Sequence, residues 1–184
     1  MLPSKTMLEA HDVIRFWRDA GPSKWFGGGE AFDAQCRERL LAPHMAAARR
    51  ELDAWMDDTD GALALLLLLD QVPRNVFRGS AHAFATDALA RRFAGLALAA
   101  GHDQAFEPAL RAFFYLPYEH GEDPADQARS VALFEALGNA NYLDYAIAHR
   151  DVIARFGRFP HRNAAFGRAS TPDEQAWLAA GGGW

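Results

Sequence analysis

Between His149 and Arg168 the chain reads HRDVIARFGRFPHRNAAFGR, with five Arg, two His and no Lys. Guanidinium forks bind carboxylate and phosphate oxygens bidentately, so arginine gathered in this way marks either an anion site or one half of an ion-pair network. Asp151 and Arg155 are spaced as an i, i+4 pair, which leaves Arg150, Arg158, His161, Arg162 and Arg168 to be satisfied. Most of these surround the FGRFP turn, where Gly157 and Pro160 interrupt a helix, and Asn163 follows directly. The surplus cation there calls for an anion, supplied by Asp70, Glu119, Glu122 or Asp123, or by a ligand. His149 shares an apolar seam with Tyr145, Val152 and Phe156, the common setting of a hydrogen-bonded core histidine.

Two further clusters carry chemistry. Asp70, Gln71, Arg74, Asn75 and Arg78 follow the most apolar stretch of the chain, so some of them start from partly buried positions, where charge must be paired or hydrogen-bonded. On one reading Asp70 pairs with an arginine and pins a helix end; on the other, the remaining Arg and Asn groups face a ligand. Tyr115, His120, Glu122, Asp123 and Gln127 gather around a proline-stopped loop, where His, Glu and Asp suit either metal ligation or acid-base work. No HExxH or EF-hand spacing occurs, and Asp123 already has the position of a helix N-cap, so no metal or cofactor is assigned. The segment PRN at 73–75 with FRG at 77–79 is echoed by PHRN at 160–163 with FGR at 166–168, which reads as two similar loop closures or two arms of one cleft.

The elements that must position these groups are helical. Ala10, Val13, Ile14 and Trp17 form an i, i+3, i+4, i+7 stripe after a Thr6–Glu9 capping box, and Gly21-Pro22 stops that helix. A loop is expected from Pro22 to Gly29. A helical pattern then runs from Phe32 to Met56, divided or kinked at Pro43, with Met45, Ala48, Leu52 and Trp55 on one face. The next helix, from Thr59 or Asp60, is apolar on all sides and reads as the buried central one, ending at Asp70 and Gln71. Ser80 or Thr86 opens a helix with Leu89, Phe93, Leu96 and Ala100 on a stripe and Gly101 as its stop. Another is expected from Phe106 to Tyr115, since Leu116 precedes a proline. Asp123-Pro124 opens a helix bearing Val131, Phe134 and Leu137. Tyr142, Tyr145, His149, Val152 and Phe156 line the following one, and the Thr171–Glu174 capping box starts a last short helix. Seven to nine helices over residues 1–184 make one all-α domain.

Composition narrows the class. Half of the 184 residues are apolar and 23% are charged, as in a soluble globular domain. A net charge of −5 argues against nucleic acid or an anionic membrane as partner. Cys36 is the one cysteine, which excludes an internal disulfide and fits a cytoplasmic protein; on its helical face with Phe32 and Leu40 it reads as a core thiol. The first residues lack the apolar core of a signal peptide, and the run from Ala62 to Leu69 is too short to span a membrane. Arginine supplies 17 of the 19 basic residues, so its placement says more than its abundance. Gly27-Gly28-Gly29 lacks P-loop context. Trp25 and Trp184 stand out as exposed aromatics.

The strings LLLLLDQVPRNVFRG (Leu65 to Gly79), FFYLPYEHGEDPADQARSVALF (Phe113 to Phe134) and HRDVIARFGRFPHRNAAFGRASTPDE (His149 to Glu174), together with the early WFGGGEAFD, resemble the uncharacterised bacterial family called DUF924. The resemblance implies a right-handed, tetratricopeptide-like stack of antiparallel helix pairs, and it supplies no function. No 34-residue repeat is visible, so the stacking rests on the resemblance alone. Two functions from different classes fit the residues. One is a pocket for a small carboxylate or phosphate, with Arg74, Arg158 and Arg162 gripping the anion and His120, His149 or His161 as acid-base groups. The other is a helical scaffold that binds a peptide in a groove, with the polar motifs as internal struts.

Overall fold

Residues 8–184 are described by the computed structural model, and among them every regular element is helical. The α-helices are α1 (Ala10–Ala20), α2 (Pro22–Trp25), α3 (Gly29–Ala48), α4 (Thr59–Leu66), α5 (Val72–Val76), α6 (Asp87–Ala100), α7 (Pro108–Arg111), α8 (Leu116–Glu119), α9 (Pro124–Leu137), α10 (Ala140–Phe156), α11 (Asn163–Phe166) and α12 (Pro172–Ala179). None of the described helices is long and apolar enough to cross a membrane.

The centre is a continuous helical run from Thr59 to Val76. Asp58 caps it, accepting from Gly61 N at 2.8 Å, and Leu63 and Leu65 to Leu69 have no exposed surface. Each such leucine stabilises by about 1.5–3 kcal/mol relative to an exposed one. A Cβ on Gly61 would stand 2.0 Å from the Trp55 carbonyl oxygen, so the approach of the preceding turn requires glycine there. Helices α1 and α6 pack on α4, and α3 packs on α5.

The sequence expectation ended this helix at Gln71, but it continues through Pro73. Leu67–Gln71 forms a π-turn between α4 and α5, with Val72 N donating to Leu67 O. Pro73 has no amide to give to the Leu69 carbonyl, and the Thr86 hydroxyl takes that place at 2.5 Å. His44 Nδ1 meets the Leu68 carbonyl at 2.7 Å from α3. Side chains from neighbouring helices thus satisfy the carbonyls that the irregular turn releases, and Asp70 and Gln71 are carried into the interior on it.

Other boundaries moved for identifiable reasons. The Thr6 end of the expected capping box lies outside the described residues; α1 opens after Glu9, whose amide donates to Asp12 at 3.1 Å. The segment after Gly21 is not all loop, because Pro22 begins α2 and buries Trp25, whose Nε1 donates to Trp17 O at 2.7 Å. Helix α3 runs through Pro43 unbroken, since Phe32, Cys36, Leu40, His44 and Ala47 bury one face on both sides of it; it ends at Ala48, where Arg50 turns to a positive φ of 68°. Met45 is exposed. The face of α6 is rotated from the expected stripe, burying Ala90, Phe93, Ala94 and Ala97 and exposing Leu96. The expected Phe106–Tyr115 helix is α7, a 3-10 turn and then α8, because Pro117 starts a new helical turn instead of ending one. The expected caps at Gly101, Asp123, Gly157 and Thr171 are present.

Candidate functional site

Helix α8 is short, and its C-terminal end is held from outside. Gln127 of α9, fully buried, donates its amide to the carbonyls of Glu119 and Gly121, each at 2.7 Å, and lies 3.4 Å from that of Tyr118. This clamp fixes Glu119 and His120 side by side over the π-turn. His120 Nδ1 lies 2.7 Å from Asp70 Oδ1. An ionised carboxylate only accepts, so the ring carries its proton on Nδ1 and keeps a lone pair on Nε2. Asp70 also accepts from Gln71 at 2.7 Å and sits 3.4 Å from the Arg74 guanidinium.

Burial opposes charge on Asp70, but the His120 and Arg74 groups beside it hold its carboxyl well below the usual carboxylate range. His120 is lowered, first by burial and then by Arg74, so it stays neutral. Glu119 behaves oppositely: burial first and Asp70 second push its carboxyl up to about 8, which leaves it protonated at neutral pH. A neutral acid and a neutral base are thus adjacent, their pKa values pushed apart by their surroundings.

Around them lies a cleft of about 640 Å³. It is lined by Gln71, Arg74, Asn75, Glu119, His120, His149, His161 and Arg162 together with Phe26, Phe84, Leu116, Tyr142, Tyr145 and Trp184. Arg74 forks onto Asp87 at 2.8 and 2.9 Å. Arg162 has less: one N–H to the His120 carbonyl at 3.1 Å, an Asp87 oxygen at 3.6 Å, and the faces of Phe84 and Phe159 at 4.6 and 4.5 Å. Burial, then Arg74, lowers it to about 10. His149 is pushed down to about 3 by burial and then His120, and His161 to about 4 by burial and then Arg162. Glu119 Oε2, His161 Nδ1 and Arg162 Nε are buried without a hydrogen-bond partner.

All three sequence clusters contribute to this cleft, though not every member does. Gln71, Arg74, Asn75, Arg78, His120, His149, His161 and Arg162 line it, with Asp70 behind His120. The others are placed elsewhere. Tyr115 donates to Asp103 at 2.8 Å, Gln127 is the clamp, and Asp123 caps α9. Glu122 accepts two bonds from Arg168 at 2.9 and 3.0 Å. Arg158 forks onto Glu174 at 2.7 and 2.8 Å, and Asn163 donates to Ser170 and Glu174. Arg150, rather than Arg155, pairs with Asp151, while Arg155 lies over the Phe156 ring. Glu119 and Trp184 enter the cleft without a strong sequence signal, because only tertiary packing desolvates the first and stacks the second. Among the described residues no three His, Cys, Asp or Glu side chains are grouped to hold a metal ion.

Fold and site together define an all-helical protein with a cleft lined by arginine, histidine and aromatic side chains. The chain belongs to the family described as bacterial protein of unknown function (DUF924), whose profile matches residues 13–182. Its structure is similar to that of ATU0120, a protein of unknown function from Agrobacterium tumefaciens, with 52% sequence identity and a TM-score of 0.90 over 93% of this chain and 97% of that one. Among curated proteins, none matches the chain.

Proposed function

We propose that the cleft binds a small organic anion, with Arg162 as its principal cation and Glu119 and His120 as the groups that exchange protons with it. The observation that carries this reading is the trio of buried, unpartnered polar atoms, Glu119 Oε2, His161 Nδ1 and Arg162 Nε, on residues that line one cleft. Such atoms are costly unless something pairs with them. A carboxylate or phosphate would accept from Arg162 and from the protonated Glu119. The basicity of His149, His161 and Arg162 is depressed first by burial and then by neighbouring cationic groups, and a bound anion would offset both.

Arg74 serves this reading less directly than sequence spacing suggests, since Asp87 and Asp70 already neutralise it. His120 Nε2, with Asp70 fixing the opposite ring nitrogen, suits a general base, and Glu119 suits a general acid. The tetratricopeptide-like stacking implied by the family resemblance finds support in α9 and α10, which pack closely across Gly138 and Asn139. The test is a thermal-shift panel of mono- and dicarboxylates and phosphomonoesters at pH 7. A ligand present at about one hundred times its Kd should add about 2.7 kcal/mol, a rise of roughly 5–10 °C. A flat response across both classes would count against the reading.

A further inference from the structure

Trp184 does not lie loose on the surface. Its indole stacks on the His149 imidazole with ring centroids 3.6 Å apart and planes within 10°, and it meets His161 and Phe159 edge-on at 5.5 and 5.9 Å. Three glycines put it there. Gly181 and Gly183 have φ of 87° and 113°, and a Cβ on Gly182 would meet the Trp177 ring at 2.3 Å. Trp184 as a residue stays half exposed, and Phe26 and Tyr145, also half exposed, belong to the same cleft. His149 therefore presents a flat face, bounded by aromatic edges, that already accepts a planar ring next to Arg162 and His161.

Resting on the anion-site reading above, we propose that this face is a subsite for the planar ring of an aromatic carboxylate, and that Trp184 occupies it as a tethered competitor. The carboxylate group would account for Arg162 and the unpartnered atoms beside it, and the ring for the aromatic side chains that line the same cleft. A cleft of about 640 Å³ is far larger than an inorganic anion requires and falls in the range of sites for ring-bearing ligands. Offset or parallel stacking is worth enough for a ligand ring to displace the indole of a residue that is half exposed. Gly181 and Gly182 are tied to α12 by their amides, which donate to the Leu178 and Trp177 carbonyls at 3.0 Å, so the indole can leave by rotation about Gly183 and its own side-chain bonds.

The experiment is isothermal titration of the full chain at pH 7 with 2-naphthoate and, as a ringless carboxylate, propionate, repeated on Trp184→Ala and Trp184→Phe. Wild type should bind naphthoate more tightly than propionate. Removing the competitor in Trp184→Ala should tighten naphthoate by roughly three- to tenfold while leaving propionate unchanged, and Trp184→Phe should fall between. Binding of neither probe by any form would overturn the anion site itself. Propionate bound as tightly as naphthoate, or naphthoate affinity unchanged or weakened by Trp184→Ala, would overturn the ring subsite while leaving the anion site standing. The substituted residue is half exposed, so melting curves close to wild type verify that all three forms are folded.

Discussion

Asp70 and His120, fifty residues apart in sequence, meet at 2.7 Å beneath the cleft, with the carboxylate almost completely buried. The contact depends on two irregularities: the π-turn that carries Asp70 inward and the clamp that holds the end of α8. It gives the His120 ring one tautomer and a free lone pair facing the cleft, and it gives the buried Asp70 charge part of its compensation.

Asp70→Ala should therefore destabilise the fold whatever it does to binding. It leaves Arg74 buried with only Asp87 and strips His120 of its anchor, a loss of about 3–5 kcal/mol. Melting of the variant should fall by roughly 10 °C or more. A wild-type melting temperature would show that Asp70 is solvated and that its ion pairs are incidental.

Glu119 makes a pH-dependent prediction. Its carboxyl is raised from 4.5 to about 8 in the folded chain. The stability it contributes is fully present below about pH 4.5 and is lost as pH rises through about 8, at up to about 1.4 kcal/mol per pH unit. Glu119→Gln keeps the neutral shape without the titration. Unfolding free energies of the two proteins should diverge in favour of the variant between pH 4.5 and 8 and run parallel on either side. The depressed histidines act in the opposite sense, losing stability as pH falls, and cancel because both proteins contain them. Parallel curves from pH 4 to 9 would mean that Glu119 ionises normally.

Gln127→Leu removes the amide that closes the α8 turn and leaves buried carbonyls at Glu119 and Gly121 without that donor. The expected loss is about 2–3 kcal/mol, or roughly 5–10 °C in melting. Because the clamp positions Glu119 and His120, anion affinity should fall with it at temperatures where the variant is still folded. Unchanged affinity in a destabilised variant would separate the clamp from the site.

The helical class was legible from local chemistry. Asp123 before Pro124, Thr171 with Glu174, and Gly101 and Gly157 act through backbone groups within a few residues, so spacing reveals them. Pro43 and Pro73 misled for the complementary reason. Spacing alone has Pro43 kink or divide its helix and the central helix end at Gln71 before Pro73, yet each proline lies within a helical run because distant groups compensate: a buried face spanning Pro43, and the Thr86 hydroxyl on the carbonyl that Pro73 cannot serve. In the site, Arg74, His120 and Arg162 were found by residue type. Arg158 has the same type and spacing as Arg162, yet Glu174 holds it away from the cleft. Which arginine pairs with which carboxylate is settled by three-dimensional packing, and no local pattern carries that information.

Arg162→Met is the most direct test, read for stability and binding together. The guanidinium is buried between Phe84 and Phe159 with incomplete pairing, so an apolar side chain of similar length should leave the melting temperature within a few degrees of wild type. With the cation gone, a carboxylate that stabilises wild type should bind at least about tenfold more weakly, the factor of one charge-assisted hydrogen bond. A variant that unfolds while no carboxylate or phosphate shifts the wild-type melting curve would make Arg162 a structural strut and contradict the anion site.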